Sequence, residues 1–160
     1  MLQSKASLAM KRNVIHSGVI SIPVLILLSF GITSCETQPV SLNDSRQVIP
    51  RHVLGQPADV AASTEQGGKI VVTRDKGSSG SAGLLKVFVD GTPVAKLSRY
   101  ERYEVLLKEG DHLLGVAPNA NPFGVSVRET SVTVKNGQTY YFRVGFDFAG
   151  LVIQRSAFTK

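Results

Sequence analysis

The sequence predicts an all-β fold, a small antiparallel β-sandwich of about seven to eight strands preceded by a cleaved signal peptide and a flexible tether. Three observations carry this. From Lys69 onward the chain breaks into short β-type runs separated by turn residues, and no stretch shows a sustained 3.6-residue period. Hydrophobic residues make up 42% of the 160 positions against 19% charged, enough to build a core and too apolar for a disordered chain. The length allows one modest domain plus tails.

The runs are Lys69 to Thr73, Leu84 to Val89, Val94 to Leu97, Tyr100 to Leu107, His112 to Ala117, Val125 to Val134, Thr139 to Phe148 and Leu151 to Phe158. Asp90-Gly91, Glu109-Gly110-Asp111 and Asn136-Gly137 fall between them, and Asp-Gly or Asn-Gly supplies the positive φ angles of a tight hairpin. In the Thr139 run, Tyr140, Phe142, Val144, Phe146 and Phe148 alternate with Tyr141, Arg143, Gly145 and Asp147, which predicts a buried face and a wet face. Leu85, Val87 and Val89 form a second such set, and Tyr103, Val105 and Leu107 a third. The apolar parity of Val125 to Val134 shifts after Val127, which predicts a bulge or break near Glu129.

The N-terminal third reads differently. Gly18 to Thr33 is an uncharged apolar run preceded by Lys5, Lys11 and Arg12. It is shorter than the roughly 20 residues of a membrane-spanning helix and is interrupted by Pro23, so it reads as the hydrophobic region of an export signal. The segment beginning at Met10 would by itself make a well-proportioned signal, so residues 1–9 need not be translated. Ile32, Thr33, Ser34 and Cys35 resemble the lipobox of bacterial lipoproteins, in which a branched apolar residue and two small ones precede a cysteine. Cys35 is the only cysteine in the chain. The resemblance implies a signal peptide over residues 1–34, cleavage before Cys35, and a mature protein carrying a diacylglycerol thioether and an N-acyl chain on Cys35. Its localisation would be the cell envelope. Glu36 stands where an Asp would retain such a protein in the inner membrane, which points to the outer membrane, facing the periplasm.

Residues 36–68 are rich in Pro, Ser, Gln and Asn and show no sustained pattern, and the sequence assigns 35–68 to the lipidated cysteine and a flexible linker. As a flexible coil the linker would span about 30 Å. Val48 to Leu54 is the one stretch in it with the composition of a short strand. The domain proper is then 69–160.

Within that domain, VFVDGTPVAKL, KEGDH and NGQTYYFRV follow one another in an order that resembles a family of uncharacterised bacterial lipoproteins with a PEGA-like, transthyretin-like β-sandwich. Val89-Asp90-Gly91 corresponds to the family's hairpin. Gly110 and His112 correspond to its turn, with Glu109 replacing the usual proline, and Gly137, Thr139, Tyr140 and Tyr141 to its strand start. The family carries no established catalytic residues, so the resemblance implies none here.

Candidate chemistry is sparse. Gly77 to Gly83 is Gly/Ser-rich but lacks the GK[ST] ending of a phosphate loop and leads into a strand. A serine nucleophile would need an oriented histidine, and only His52 and His112 follow Cys35. His52 reads as a solvated loop residue and His112 as a structural residue beside a turn. Two histidines and one cysteine supply no metal cluster, and no cofactor is expected. The charge of +6 shrinks once the acid-free leader is removed, leaving 15 basic residues against 12 acidic, and Glu101 and Glu104 interrupt the basic residues around Tyr100 and Tyr103. No nucleic-acid partner is expected. The loop Pro118 to Gly124 places Phe123 near its tip, a possible partner contact. The expectation is a lipid-anchored binding or scaffolding module, no enzyme, whose partners are the membrane and an unidentified envelope protein or cell-wall component. The rival is an envelope enzyme or enzyme inhibitor working through the Gly77–Gly83 and Pro118–Gly124 loops.

Overall fold

The computed structural model describes residues 38–77, 83–120, 124 and 126–157. Cys35, the lipobox residues Ile32, Thr33 and Ser34, the loop serines Ser78, Ser79 and Ser81, and Phe123 lie outside the described residues.

Nine strands are present among the described residues: β1 (Arg46–Gln47), β2 (Gly67–Arg74), β3 (Leu85–Val89), β4 (Thr92–Leu97), β5 (Glu101–Lys108), β6 (Gly110–Pro118), β7 (Arg128–Val134), β8 (Thr139–Asp147) and β9 (Gly150–Arg155). They form two sheets, one ordered β1-β5-β2-β8-β9 and the other β4-β3-β6-β7. The core lies between them. Ile70 and Val72, Tyr103 and Leu107, and Tyr140, Phe142 and Val144 come from the first sheet, and the second contributes Leu85, Val87, Val89, Leu97, Leu114, Val116, Val132 and Val134. The period-2 alternation of β3, β5 and the first part of β8 therefore reports the buried faces as expected.

The all-antiparallel expectation is corrected in the five-stranded sheet. β2 runs parallel to β8, with Lys69 opposite Thr139 and Arg74 opposite Val144, and β1 runs parallel to β5. Alternation identifies a face but not a direction, and β2 and β8 are too far apart in sequence for any turn to declare their pairing. Two of the three turns also differ from the hairpin reading. Asp90-Gly91 does close a hairpin, with φ of 49° and 76°, between β3 and β4. Glu109-Gly110 and Asn136-Gly137 instead carry the chain from one sheet to the other, β5 to β6 and β7 to β8.

The parity shift before β7 is a break and not a bulge. β6 and β7 pair without register slip from Gly110–Val134 to Val116–Arg128, so the strand begins after Val127, which is exposed. The register irregularity lies in the β3–β4 hairpin, between Val87 and Phe88. In β8 the alternation outlasts the strand. Phe148 is placed by parity with the core residues, yet it sits in the turn after Asp147 and is 99% exposed.

The segment read as a tether is laid on the domain from Gln38 onward. Gln38 exchanges two backbone hydrogen bonds with Lys76, at 2.7 and 3.0 Å. Arg46–Gln47 add to β5, and Leu54 N–H donates to the Val94 carbonyl at the edge of β4. Ala61 N–H then returns to Leu106 of β5. Val48 and Ala61 are buried. This strap covers the free edges of β5 and β4, which would otherwise present unpaired backbone groups. Gly67 and Gly68, read as the end of the linker, open β2. A Cβ on Gly68 would stand 2.7 Å from the Lys135 carbonyl and 2.8 Å from Val134 Cγ1, so the close approach of β2 to the β7–β8 connection requires glycine there.

Candidate functional site

Between Val48 and Val60 the strap bows away from β5 and leaves an open groove of about 630 Å³. Val48, Pro50, Val53 and Val60 line it from the strap, and Tyr103 and Glu104 from β5. The size suits a small ligand or a short extended segment. Burial raises the Tyr103 phenol above its ordinary pKa, so at neutral pH it is a hydroxyl able to donate. Glu104 is held by Arg102 at 2.7 Å and by Lys69 at 3.7 Å. The groove is thus apolar with a polar floor, suited to binding.

At one end of the groove lies a buried charge cluster that sequence reasoning missed. Glu101 is 1% exposed and accepts from Ser98 N–H at 2.8 Å. Arg46 Nε and His52 Nδ1 each stand 3.6 Å from its carboxylate. Arg74, also buried, donates to the carbonyls of Gly83 and Leu97. Its pKa falls to about 10, first through burial and then through the like charge of Arg99, while Glu101 pulls it back up. His52 is therefore packed against a carboxylate and is not the solvated loop residue expected. The signal that points to Glu101 is parity, because it shares the odd positions of Tyr103 and Leu107, both core-facing. His52 Nδ1 makes no hydrogen bond, so the carboxylate does not orient the imidazole as a triad acid does. Among the described residues no group of three potential metal ligands exists.

His112 is structural, and its two contacts show how. Its Nδ1 lies 2.8 Å from an Asp90 carboxylate oxygen and its Nε2 3.0 Å from the Lys108 carbonyl. The other Asp90 oxygen accepts from Leu113 N–H, so the histidine ties the β3–β4 turn to the β5–β6 corner. Both partners of the ring are acceptors, and only the doubly protonated imidazolium donates to both. Burial disfavours that charge, but the bonds to Asp90 and Lys108 outweigh it, and the pKa lies above 6.5. A raised value in the folded state stabilises most below 6.5 and loses that contribution as pH rises through the folded value. The stability difference between the natural chain and His112→Gln should therefore shrink as pH rises across that window, read from urea midpoints. A constant difference would show that the ring contributes only as a neutral group.

The two candidate loops adjoin at their described ends, since Leu85 pairs with Pro118. Gly77 accepts from Arg99 at 3.3 Å, while Asn119 N–H bonds Leu84, but the interior residues of both candidate loops lie outside the described residues. Comparison with known proteins returns no matching family model and no matching curated protein.

Proposed function

We propose that the chain is an acylated envelope lipoprotein whose two-sheet domain works by binding at the membrane surface and not by catalysis. The observation that carries this reading is that Gln38, three residues after the lipobox cysteine, is already hydrogen-bonded to Lys76 of the domain. The expected 30 Å reach is thereby replaced by an attachment of about 10 Å at full extension. Two or more acyl chains, at about 0.8 kcal/mol per buried methylene, make an effectively permanent anchor. An open groove built from the strap and β5 supports a binding role for an envelope protein or cell-wall component. The order of the Val89-Asp90-Gly91, Gly110-x-His112 and Gly137-x-Thr139-Tyr140-Tyr141 motifs supports kinship with the PEGA-like lipoproteins, and Glu36 supports the outer membrane.

Cys35→Ala should leave an unacylated precursor that is lost from the outer-membrane fraction on sedimentation. Unchanged partition of that variant between fractions would refute the anchor.

A further inference from the structure

The end of the five-stranded sheet at which β2 finishes is distinctive. Arg74 pairs with Val144, so the β8–β9 turn, which follows Asp147, lies just beyond it. Thr73 pairs with Arg102, so Tyr100 and Arg99 lie at that same end. Lys76 is there too, with Gln38 paired to it. This end carries Phe148, 99% exposed, and Tyr100, 41% exposed and held at a φ of 66°. An apolar ring standing free in water at a turn tip is the arrangement that gains from an apolar surface. Arg99, next to Tyr100 in the chain, is exposed, as is Arg46, which pairs with Glu101 on β1. Of the carboxylates at this end, Asp75 and Glu101 are buried against Arg143 and Arg46, and Asp44 and Asp147 are hydrogen-bonded within their own turns, to Ser41 and to Ala149 N–H.

We propose that this end of the domain, presented by Phe148, Tyr100, Arg99 and Lys76, is the face that rests on the lipid surface. The inference rests on acylation of Cys35, because the three residues from Cys35 to Gln38 hold that end within about 10 Å of the acylated sulfur. Arg99 and Lys76 match anionic headgroups, and the rings match the boundary between headgroups and chains. The strap groove, which runs down the β5 edge, then remains open to the aqueous side.

The chain contains no tryptophan, so Phe148→Trp installs a single reporter. Leu113→Trp, on a residue exposed on β6 of the other sheet, serves as the control. The mature acylated protein is reconstituted in vesicles of phosphatidylethanolamine and phosphatidylglycerol with brominated chains, and its acylation is checked by intact mass. A ring lodged about 5–10 Å into the interface should lose about half its emission to the bromines, while the control is unaffected. Acylated, vesicle-bound protein with position 148 as unquenched as the control overturns the proposed face while leaving the anchor intact. An unacylated mass without quenching overturns both. Protection of position 148 in native membranes but not in vesicles would assign this end to a protein and overturn the lipid contact.

Discussion

Phe142→Ala is expected to cost about 3–5 kcal/mol of folding stability, the range for deleting a buried aromatic ring. Phe142 is buried at the centre of β8, flanked by Val72 of β2 on one side and Arg155 of β9 on the other. β2 and β8 are inner strands of their sheet, each with a neighbour on both sides, so the cavity has little room to collapse. Urea titration reads the loss as a lowered midpoint with an unchanged slope. The neighbouring Arg143→Ala should cost less, but more than an ordinary surface change, because Arg143 Nε stands 3.5 Å from the buried carboxylate of Asp75. Equal losses for the two variants would contradict the assignment of the β8 faces.

Glu101→Ala is expected to be of similar size, about 3–5 kcal/mol, since removing one member of a buried charge cluster leaves the others uncompensated. The variant strips the opposing charge from buried Arg74, leaves Ser98 N–H without its acceptor, and removes the carboxylate that His52 and Arg46 of the strap face. Glu101→Gln keeps an acceptor for Ser98 and should lose less. Hydrogen exchange separates this from a plain core defect: in the Glu101→Gln chain, strap amides such as Val48 and Leu54 should lose protection before those of β2 and β8. Uniform loss across strap and sheet would show that Glu101 does not fasten the strap.

Much of the fold was legible in the sequence, because alternation is a local record of burial. Leu85, Val87 and Val89, and Ile70 and Val72 through their place in an apolar run, all face the core. The features that escaped depend on partners distant in the chain. The strap has no period of its own, and Val48 and Ala61 are buried only because β5 offers an edge to them. The parallel β2–β8 pairing brings together residues separated by β3 to β7, and none of the turns between them declares it. Phe148 misleads in the opposite sense, since the alternation continues one step past the last paired residue, Asp147, into a turn that points the ring outward. Of the candidate site, the role of His112 beside its turn was legible from its position. Of the Glu101 cluster only the parity of Glu101 with Tyr103 and Leu107 was legible, because Arg74 and His52 are brought to it from distant segments.

The most direct test of the account is the intact mass of the protein extracted from membranes of cells expressing the natural sequence from its own start. The lipoprotein proposed above is a polypeptide that begins at Cys35 and carries a diacylglycerol thioether and an N-acyl chain. The account predicts that mass, shared by chains initiated at Met1 and at Met10, since cleavage erases the difference. A mass retaining residues before Cys35, or one with an unmodified cysteine, would contradict it.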